Sequence, residues 1–270
     1  MGSADSSSNR HFRLLLCLVL LACALTPAHS LSGDASAAAA REISGKWGDA
    51  VIAVKVVLSM RTVMEGREVD EEERTSQLNA TVIDPSGLAV CSLSEADPSH
   101  VMEQFAEEDS DYRLEASVKD VKMLLADGKE LPAKVVLRDK DLDLAFVQPA
   151  EPPAEPMSAV DLSQSGSPEI LDQVVVLGRL GEVVNRAPSV SLDRVQAIAR
   201  KPRTVYITGL NAWVAGLGCP AFTLDGKLVG VLVIRAVPAA SIGASRGEAT
   251  SLPVVLPAED IREVAQQAAK

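Results

Sequence analysis

Histidine and cysteine, the side chains best suited to metal binding and nucleophilic chemistry, are scarce in this chain, which has 270 residues, three histidines and four cysteines. If residues 1–30 are a cleaved export signal, only His100, Cys91 and Cys219 remain. One imidazole and two thiols cannot supply the four ligands of a structural zinc site, so we expect no metal. Two cysteines in an exported chain instead favour a single disulfide.

The first thirty residues have the pattern of a secretory signal peptide. Arg10 and Arg13 precede an apolar run from Leu14 to Leu25, and Ala28-His29-Ser30 provides a cleavage site with small residues on either side. The apolar run is too short to span a membrane comfortably. Alternatively, Leu20-Leu21-Ala22-Cys23 resembles a lipoprotein box and would leave a lipidated Cys23 as the first residue. Both patterns predict an exported, periplasmic or extracellular protein, attached to a membrane only through a lipid at Cys23.

The composition excludes several functional classes. The chain is 47% apolar, which suffices for a hydrophobic core and excludes a disordered protein. Its net charge of −11 argues against a surface for nucleic acid or anionic lipid, because both require clustered Lys and Arg. Aromatic residues make up only 3%, too few for base-stacking platforms. We therefore expect an acidic globular protein with no nucleic-acid partner.

Short Val-rich runs separated by turn sequences predict β-strands from Trp47 onward. Asp127-Gly128 and Asp225-Gly226 each lie between two apolar runs, which is the strongest short hairpin signal, and Asp84-Pro85-Ser86-Gly87 fits a four-residue turn. The absence of a strand–helix–strand alternation favours an antiparallel barrel or sandwich. We expect the charge run at 70–74 to be a solvated hairpin loop.

Two segments interrupt this β pattern and suggest the domain organisation. One is rich in proline and predicts a linker, and the other begins with Pro257 and has an apolar helical face. The predicted segments are a signal peptide at 1–30, a flexible segment at 31–46, a first β unit at 47–150, a linker at 151–168, a second β unit at 169–256 and a C-terminal helix at 257–270.

Several stretches, in the same order along the chain, resemble trypsin-like serine proteases of the HtrA/Deg type. Val82–Leu88 is similar to the strand–turn–strand before the catalytic histidine, Val121–Val136 to the next hairpin, and Asp141–Ala145 to the segment around the catalytic aspartate. Gly216–Pro220 resembles the nucleophile loop, and the whole likeness covers roughly residues 47–268. It implies an all-β chymotrypsin fold of two six-stranded antiparallel barrels with a short C-terminal helix and a cleft between the barrels. The peptide-binding PDZ domain usual in that family is not expected here.

The same resemblance implies where a catalytic triad would lie. Asp143 falls on the position of the acid, Ser94, counted from Gly87, on that of the histidine, and Leu217, counted back from Pro220, on that of the nucleophile. Triad catalysis requires an imidazole and a nucleophilic side chain, and Leu217 has no proton to lose. The resemblance therefore implies a non-catalytic homologue in which Asp143 is a buried carboxylate that caps backbone N–H groups.

The alternative is an active serine- or cysteine-type endopeptidase with the non-standard constellation His100, Asp143 and Cys219. Ser99-His100-Val101 resembles the family's Ala-His-Val, and Cys219 would serve as a thiol nucleophile. This alternative requires about six extra residues before the histidine and moves the nucleophile two positions away from the oxyanion donors. In the simpler interpretation, His100 lies in a polar surface loop.

In the fold that the resemblance implies, the segments carrying Cys91 and Cys219 run side by side across the degenerate active site. We therefore expect a Cys91–Cys219 disulfide, with two separate buried thiols as the alternative. The functional hypothesis is an exported, non-catalytic homologue without a cofactor that binds a peptide or protein, or regulates a partner. Trp213 and the acidic run at 70–74 are the candidate contact points, although a tryptophan at this position also fits a core role. A weaker hypothesis is a purely structural protein of the cell envelope.

Overall fold

The computed structural model describes residues 32–65, 67–98, 112–125, 127–237 and 250–268. The predicted signal peptide, Cys23 and His100 lie outside the described residues. Contacts along the chain separate a short unit, Met1–Ala38, from a large unit, Ala39–Lys270, which holds all the strands of the described part.

The first half of the large unit is a closed antiparallel barrel of six strands. Its strands are β1 (Val51–Met64), β2 (Arg67–Val82), β3 (Ala89–Ser92), β4 (Tyr112–Leu124), β5 (Glu130–Asp139) and β6 (Leu144–Pro149). Around the barrel they follow the order β1-β2-β3-β6-β5-β4.

The second half is another closed barrel of six strands, which follows a connection without named strands from residue 150 to residue 172. Its strands are β7 (Gln173–Arg179), β8 (Pro188–Ala199), β9 (Val205–Thr208), β10 (Pro220–Thr223), β11 (Leu228–Val237) and β12 (Thr250–Pro257). Their order is β10-β11-β12-β9-β8-β7. Together, the two barrels confirm the all-β fold that the resemblance implied.

The turn between β2 and β3 illustrates how local sequence determines this architecture. Asp84 Oδ1 accepts the backbone N–H of Ser86 at 2.8 Å, and the N–H of Gly87 donates to Asp84 O at 2.9 Å. Gly87 has φ +93, and a Cβ there would lie 2.7 Å from Cγ of Pro149. Glycine is thus required both by the backbone conformation and by the close approach of β6.

Strands β1 and β2 form a hairpin that is longer than the sequence suggested. The register pairs Arg61 with Glu71 on one side of β1 and with Glu115 of β4 on the other. The charge run at 70–74 is therefore part of β2, and its prediction as a hairpin loop was wrong. The reason is that β1 continues to Met64 and supplies backbone hydrogen-bond partners for these exposed residues. Their charged side chains disfavour a strand but do not prevent one.

The segment at 31–46, expected to be flexible, instead forms most of helix α1 (Ser32–Trp47), so that expectation was wrong. Four consecutive alanines at 37–40 give it high helix propensity. Within the large unit, Ala40 and Ile43 are buried, and the ring of Trp47 stacks on Phe222 with ring centroids 6.4 Å apart. These contacts hold the helix in place.

Three further helices follow within the described residues, namely α2 (Leu93–Ala96), α3 (Leu210–Ala215) and α4 (Ala258–Ala268). Helix α4 confirms the predicted C-terminal helix. It buries Ile261 and Val264 and contacts β11 and β12 of the second barrel and β5 of the first. No helix in the described ranges has the length and apolar character needed to cross a membrane.

In the part of the chain that the structure describes, the buried apolar side chains form three clusters. One fills the first barrel and includes Cys91, and another fills the second barrel and includes Cys219. The third contains Phe146 and Phe222 and joins strands of both barrels to α1 and α4. The barrels are therefore packed on one another through a continuous apolar layer.

Candidate functional site

Three short segments bring the predicted triad positions to the boundary between the barrels. Ser94 lies on α2, directly after β3, and Asp143 lies on the loop before β6 with φ +58. Leu217 lies between α3 and β10 in the second barrel. The structure brings Ser94 and Asp143 into direct contact, as the resemblance implies for the histidine and aspartate positions.

Asp143 is buried and accepts four hydrogen bonds. Its Oδ1 accepts the backbone N–H of Ser94 at 2.7 Å and the hydroxyl of Ser94 at 2.6 Å. Its Oδ2 accepts the hydroxyl of Ser92 at 2.7 Å and the backbone N–H of Ile234 on β11 at 2.8 Å. Four donors satisfy the lone pairs of this carboxylate without an imidazole. The arrangement fits the capping role expected for Asp143.

Leu217 is held in a loop between two glycines with positive φ, Gly216 at +96 and Gly218 at +75. Its side chain is only 7% exposed and packs in the core cluster of the second barrel. The position at which a protease would present its nucleophile therefore presents an alkyl group, and that group is directed into the barrel.

Glu95, the residue after Ser94, contacts the same loop. Its carboxylate faces the backbone N–H of Leu217. Burial and the nearby charge of Asp143 raise the pKa of Glu95 to about 7, although the Leu217 N–H opposes this shift. A backbone N–H at a nucleophile position is one of the donors that stabilise an oxyanion in acyl transfer. In this chain, that donor faces a carboxylate of the same molecule.

Asn79 ties β2 of the first barrel to the second barrel beside this loop. Its Nδ2 donates to Ala215 O at 3.1 Å, and its Oδ1 accepts the backbone N–H of Arg179 at 3.0 Å. Thr81, two residues along, donates its hydroxyl to Gly218 O at 2.7 Å. These bonds fix both ends of the segment that carries Leu217.

The predicted Cys91–Cys219 disulfide is not present, because both cysteines are free, buried thiols. The two segments do run side by side, since a Cβ on Gly218 would lie 3.4 Å from Cα of Cys91. However, the thiols point into different cores: Cys91 Sγ lies 3.5 Å from Ala145 O, and Cys219 Sγ lies 3.1 Å from Ala215 O. Burial raises the pKa of both thiols well above the ordinary value.

The outcome for the other candidate residues differs from one to the next. His100 lies outside the described residues, so the constellation of His100, Asp143 and Cys219 remains a hypothesis. Trp213 lies on α3, and its side chain is also outside the described part. The run at 70–74 is exposed on the β1–β2 hairpin. Within the described ranges, no three His, Cys, Asp or Glu side chains are grouped to hold a metal ion.

Sequence reasoning missed two residues of this site, Glu95 and Asn79. An acidic residue immediately after the histidine position was a signal for Glu95, because the short helix α2 turns it toward the facing loop. Asn79 gave no comparable signal. Its two long-range hydrogen bonds depend on the docking of the barrels, which no local pattern encodes.

Comparison with known proteins agrees with this geometry. Residues 79–231 match the family model described as the trypsin-like peptidase domain. The matched stretch begins at Asn79, includes Ser94, Asp143 and Leu217, and ends within β11. None of the curated proteins matches the chain significantly.

Proposed function

The chain belongs to the trypsin-like peptidase domain family, and from this membership we propose that it is an exported, non-catalytic relative of the HtrA/Deg type. In this proposal, the protein binds a peptide or another protein, or regulates a partner, in the periplasm or outside the cell. The proposal rests on the fold, on the occupied acid position and on the chemistry of the side chains at the cleft.

The bonding of Asp143 is the observation that carries the proposal. In triad catalysis, the carboxylate orients an imidazole that removes a proton from the nucleophile. Here Ser94 stands at the imidazole position and donates to Asp143 Oδ1 at 2.6 Å. A hydroxyl bonded to a carboxylate has no base strong enough to remove its proton, and Leu217 offers no nucleophile.

The alternative thiol chemistry has little support from the environment of Cys219. A cysteine nucleophile reacts as a thiolate, which needs an exposed or electropositive setting that lowers its pKa. Cys219 is fully buried, and burial raises the pKa of its thiol. Its Sγ lies within hydrogen-bonding distance of Ala215 O. These features are typical of a structural core thiol.

The outer face of α3 offers a surface suited to binding. Leu210 and Val214 are four residues apart on this helix and therefore share a face, and their side chains are 82% and 75% exposed. The helix leads directly into the loop that carries Leu217. Two exposed aliphatic side chains beside the cleft fit the apolar side chains of an extended polypeptide.

Activity is tested by treating the purified chain with a fluorophosphonate probe and an alkylating thiol probe, in parallel with unfolded casein. We expect neither labelling of an active-site residue nor cleavage of casein. Labelling or cleavage that disappears in His100→Ala or Cys219→Ala would instead establish the endopeptidase of non-standard constellation.

Binding is tested on an array of immobilised peptides with the Leu210→Glu and Val214→Glu variants. We expect binding to apolar peptides that falls about tenfold in both variants, because the charge disrupts the apolar contact. Val183→Glu is the matched control, since Val183 is fully exposed on a separate turn, Glu182–Val184. Equal binding by all four proteins would exclude α3 as the binding surface.

A further inference from the structure

The outer part of strand β2 has one open backbone edge. Residues 70–75 pair with β1 on one side. On the other side, only Thr81 and Val82 of β2 pair with a described strand, β3. In an antiparallel strand, alternate residues direct their N–H and C=O groups away from the paired neighbour. Within the described residues, the edge at 70–75 therefore offers unpaired backbone donors and acceptors to an added strand.

This edge belongs to an ordered three-stranded ribbon. In this region β1 pairs with β4 as well as with β2, so residues 70–75 form an outer strand. Glu71 is fixed to β1, because its Oε1 accepts the hydroxyl of Ser59 at 2.5 Å and lies 3.6 Å from Nε of Arg61. The register shifts near the tip and leaves Val69 without a partner on β1, which ends the regular edge. Because the strand is already ordered, binding along it requires less loss of conformational entropy than ordering a loop would.

The side chains along the edge are acidic on both faces of the ribbon. Successive side chains of a strand point to opposite faces, so Asp70 and Glu72 share one face, and Glu71 and Glu73 share the other. All four are exposed, and among the described residues the only ion pair of this group is the one between Glu71 and Arg61. Opposite charges on directly facing residues of neighbouring strands attract, and like charges repel. The edge therefore favours an added strand that carries Lys or Arg opposite residues 70–73.

We propose that the open edge of β2 at residues 70–75 binds an extended, basic segment of another protein as an additional strand. The backbone groups of the edge bind the main chain of the partner, and the acidic side chains select Lys and Arg. A second copy of this chain is disfavoured, because two such edges centred on Glu72 would place Glu71 opposite Glu73. The edge lies on the first barrel, away from α3, and this proposal does not depend on the proposed function of the α3 surface.

Titration of the full chain with a capped peptide of alternating lysine and threonine tests the proposal, with amide NMR as the readout. We expect the amides of residues 70–75 to shift and to become protected from hydrogen exchange. N-methylation of every residue removes the backbone donors of the peptide and keeps its charge, so we expect it to weaken binding at least tenfold. Equal binding of the two peptides, or no binding of the unmethylated one, overturns the proposal.

Two variants of equal net charge test the contribution of the acidic side chains. The edge variant neutralises three acids of β2 and carries Asp70→Asn, Glu72→Gln and Glu73→Gln. The control variant neutralises three exposed acids outside the strands and carries Glu151→Gln, Glu155→Gln and Glu169→Gln. We expect the edge variant to bind the lysine peptide about tenfold more weakly than the wild type and the control variant to bind it within about twofold. Equal affinity of the two variants overturns the proposal.

Two measurements on the wild type need no variant. A capped peptide of alternating glutamate and threonine is expected not to bind, and binding equal to that of the lysine peptide would exclude selection by charge. Sedimentation equilibrium without peptide is expected to show no dimer formed through this edge. A dimer in which the amides of residues 70–75 are protected would assign the edge to a second copy of the chain and overturn the proposal.

Discussion

Ser94 gives both of its hydrogen-bond donors to one oxygen of Asp143, the backbone N–H at 2.7 Å and the hydroxyl at 2.6 Å. The second oxygen binds Ser92 from the first barrel and the backbone of Ile234 from the second. Asp143 therefore joins β3, α2 and β11, and its contribution is to the stability of the barrel contact.

Replacing Asp143 with Asn is expected to lower the free energy of unfolding by about 3 kcal/mol. The amide keeps the shape of the carboxylate, but its NH₂ group faces donors and leaves at least one buried N–H or hydroxyl without an acceptor. Urea denaturation followed by circular dichroism measures the change.

Asp141→Asn is the matched control for this variant, because Asp141 is exposed and lies two residues away. We expect its free energy of unfolding to stay within about 0.5 kcal/mol of the wild type. If Asp143→Asn were as stable as this control, the four hydrogen bonds would contribute nothing to the fold.

Glu95 is expected to make stability fall as the pH rises. Its pKa is raised from 4.5 to about 7 in the folded state, so the unfolded chain loses the proton first and the folded chain retains it. Stability from this group is fully present below about pH 4.5 and is lost as the pH rises to about 7, by roughly 3 kcal/mol. Above that range the contribution is constant.

The measurement is the free energy of unfolding of wild type and Glu95→Gln across this pH range. The difference between the two free energies of unfolding isolates the contribution of Glu95 from those of other carboxylates. Asp84 and Asp161, for example, have lowered pKa values, which make stability fall only in acid. Glu95→Gln is expected to gain stability relative to wild type as the pH rises. Parallel curves would mean that Glu95 ionises in the folded protein as it does in the unfolded chain.

Cys91 and Cys219 are expected to be free thiols that react only after unfolding. Both are buried with a raised pKa, so neither thiolate forms in the native protein at neutral pH. Alkylation without reductant, followed by peptide mass mapping, should label both cysteines in denaturant and neither in native buffer. Recovery of a disulfide-linked peptide containing both residues would show that the two cysteines do form the disulfide.

Much of the fold was predictable from local sequence, because its turns are local. The hairpins at Asp127-Gly128 and Asp225-Gly226 need only a short turn and flanking apolar runs. The closure of the barrels came from the family resemblance, since strand pairing between distant segments has no local signal. The run at 70–74 was wrongly predicted for the same reason. It forms a strand because it pairs with β1, and β1 extends beyond the apolar run from which it was predicted.

The site was predictable in position but not in detail. Spacing from Gly87 and Pro220 brought Ser94 and Leu217 to the barrel boundary, yet the direction of each side chain depends on the backbone of α2 and of the loop between Gly216 and Gly218. The cysteines demonstrate the consequence, because their backbones approach closely while their thiols enter different cores. Glu95 could be noted as an acidic residue after the histidine position, but the backbone N–H of Leu217 that it faces belongs to the other barrel and has no local signal.

Gly218 is expected to tolerate no side chain. Its φ is +75, and a Cβ there would overlap the carbonyl oxygen of Asn79 and lie 2.9 Å from the carbonyl carbon of the same residue. Both neighbours are backbone atoms of β2, which Asn79 and Thr81 bind to the second barrel. Gly218→Ala is therefore expected to lower the free energy of unfolding by about 3 kcal/mol or more.

Gly181→Ala is the matched control for Gly218→Ala. Gly181 has φ −65 and ψ 172, which alanine adopts freely, and no atom lies within 4 Å of a Cβ placed there. Because alanine restricts the unfolded chain, we expect this variant to equal the wild type or exceed it by about 0.5 kcal/mol. Thermal unfolding of both variants makes the comparison. A Gly218→Ala protein as stable as Gly181→Ala would show that the Leu217 loop can move away from β2, and that the barrels are not held together at this point.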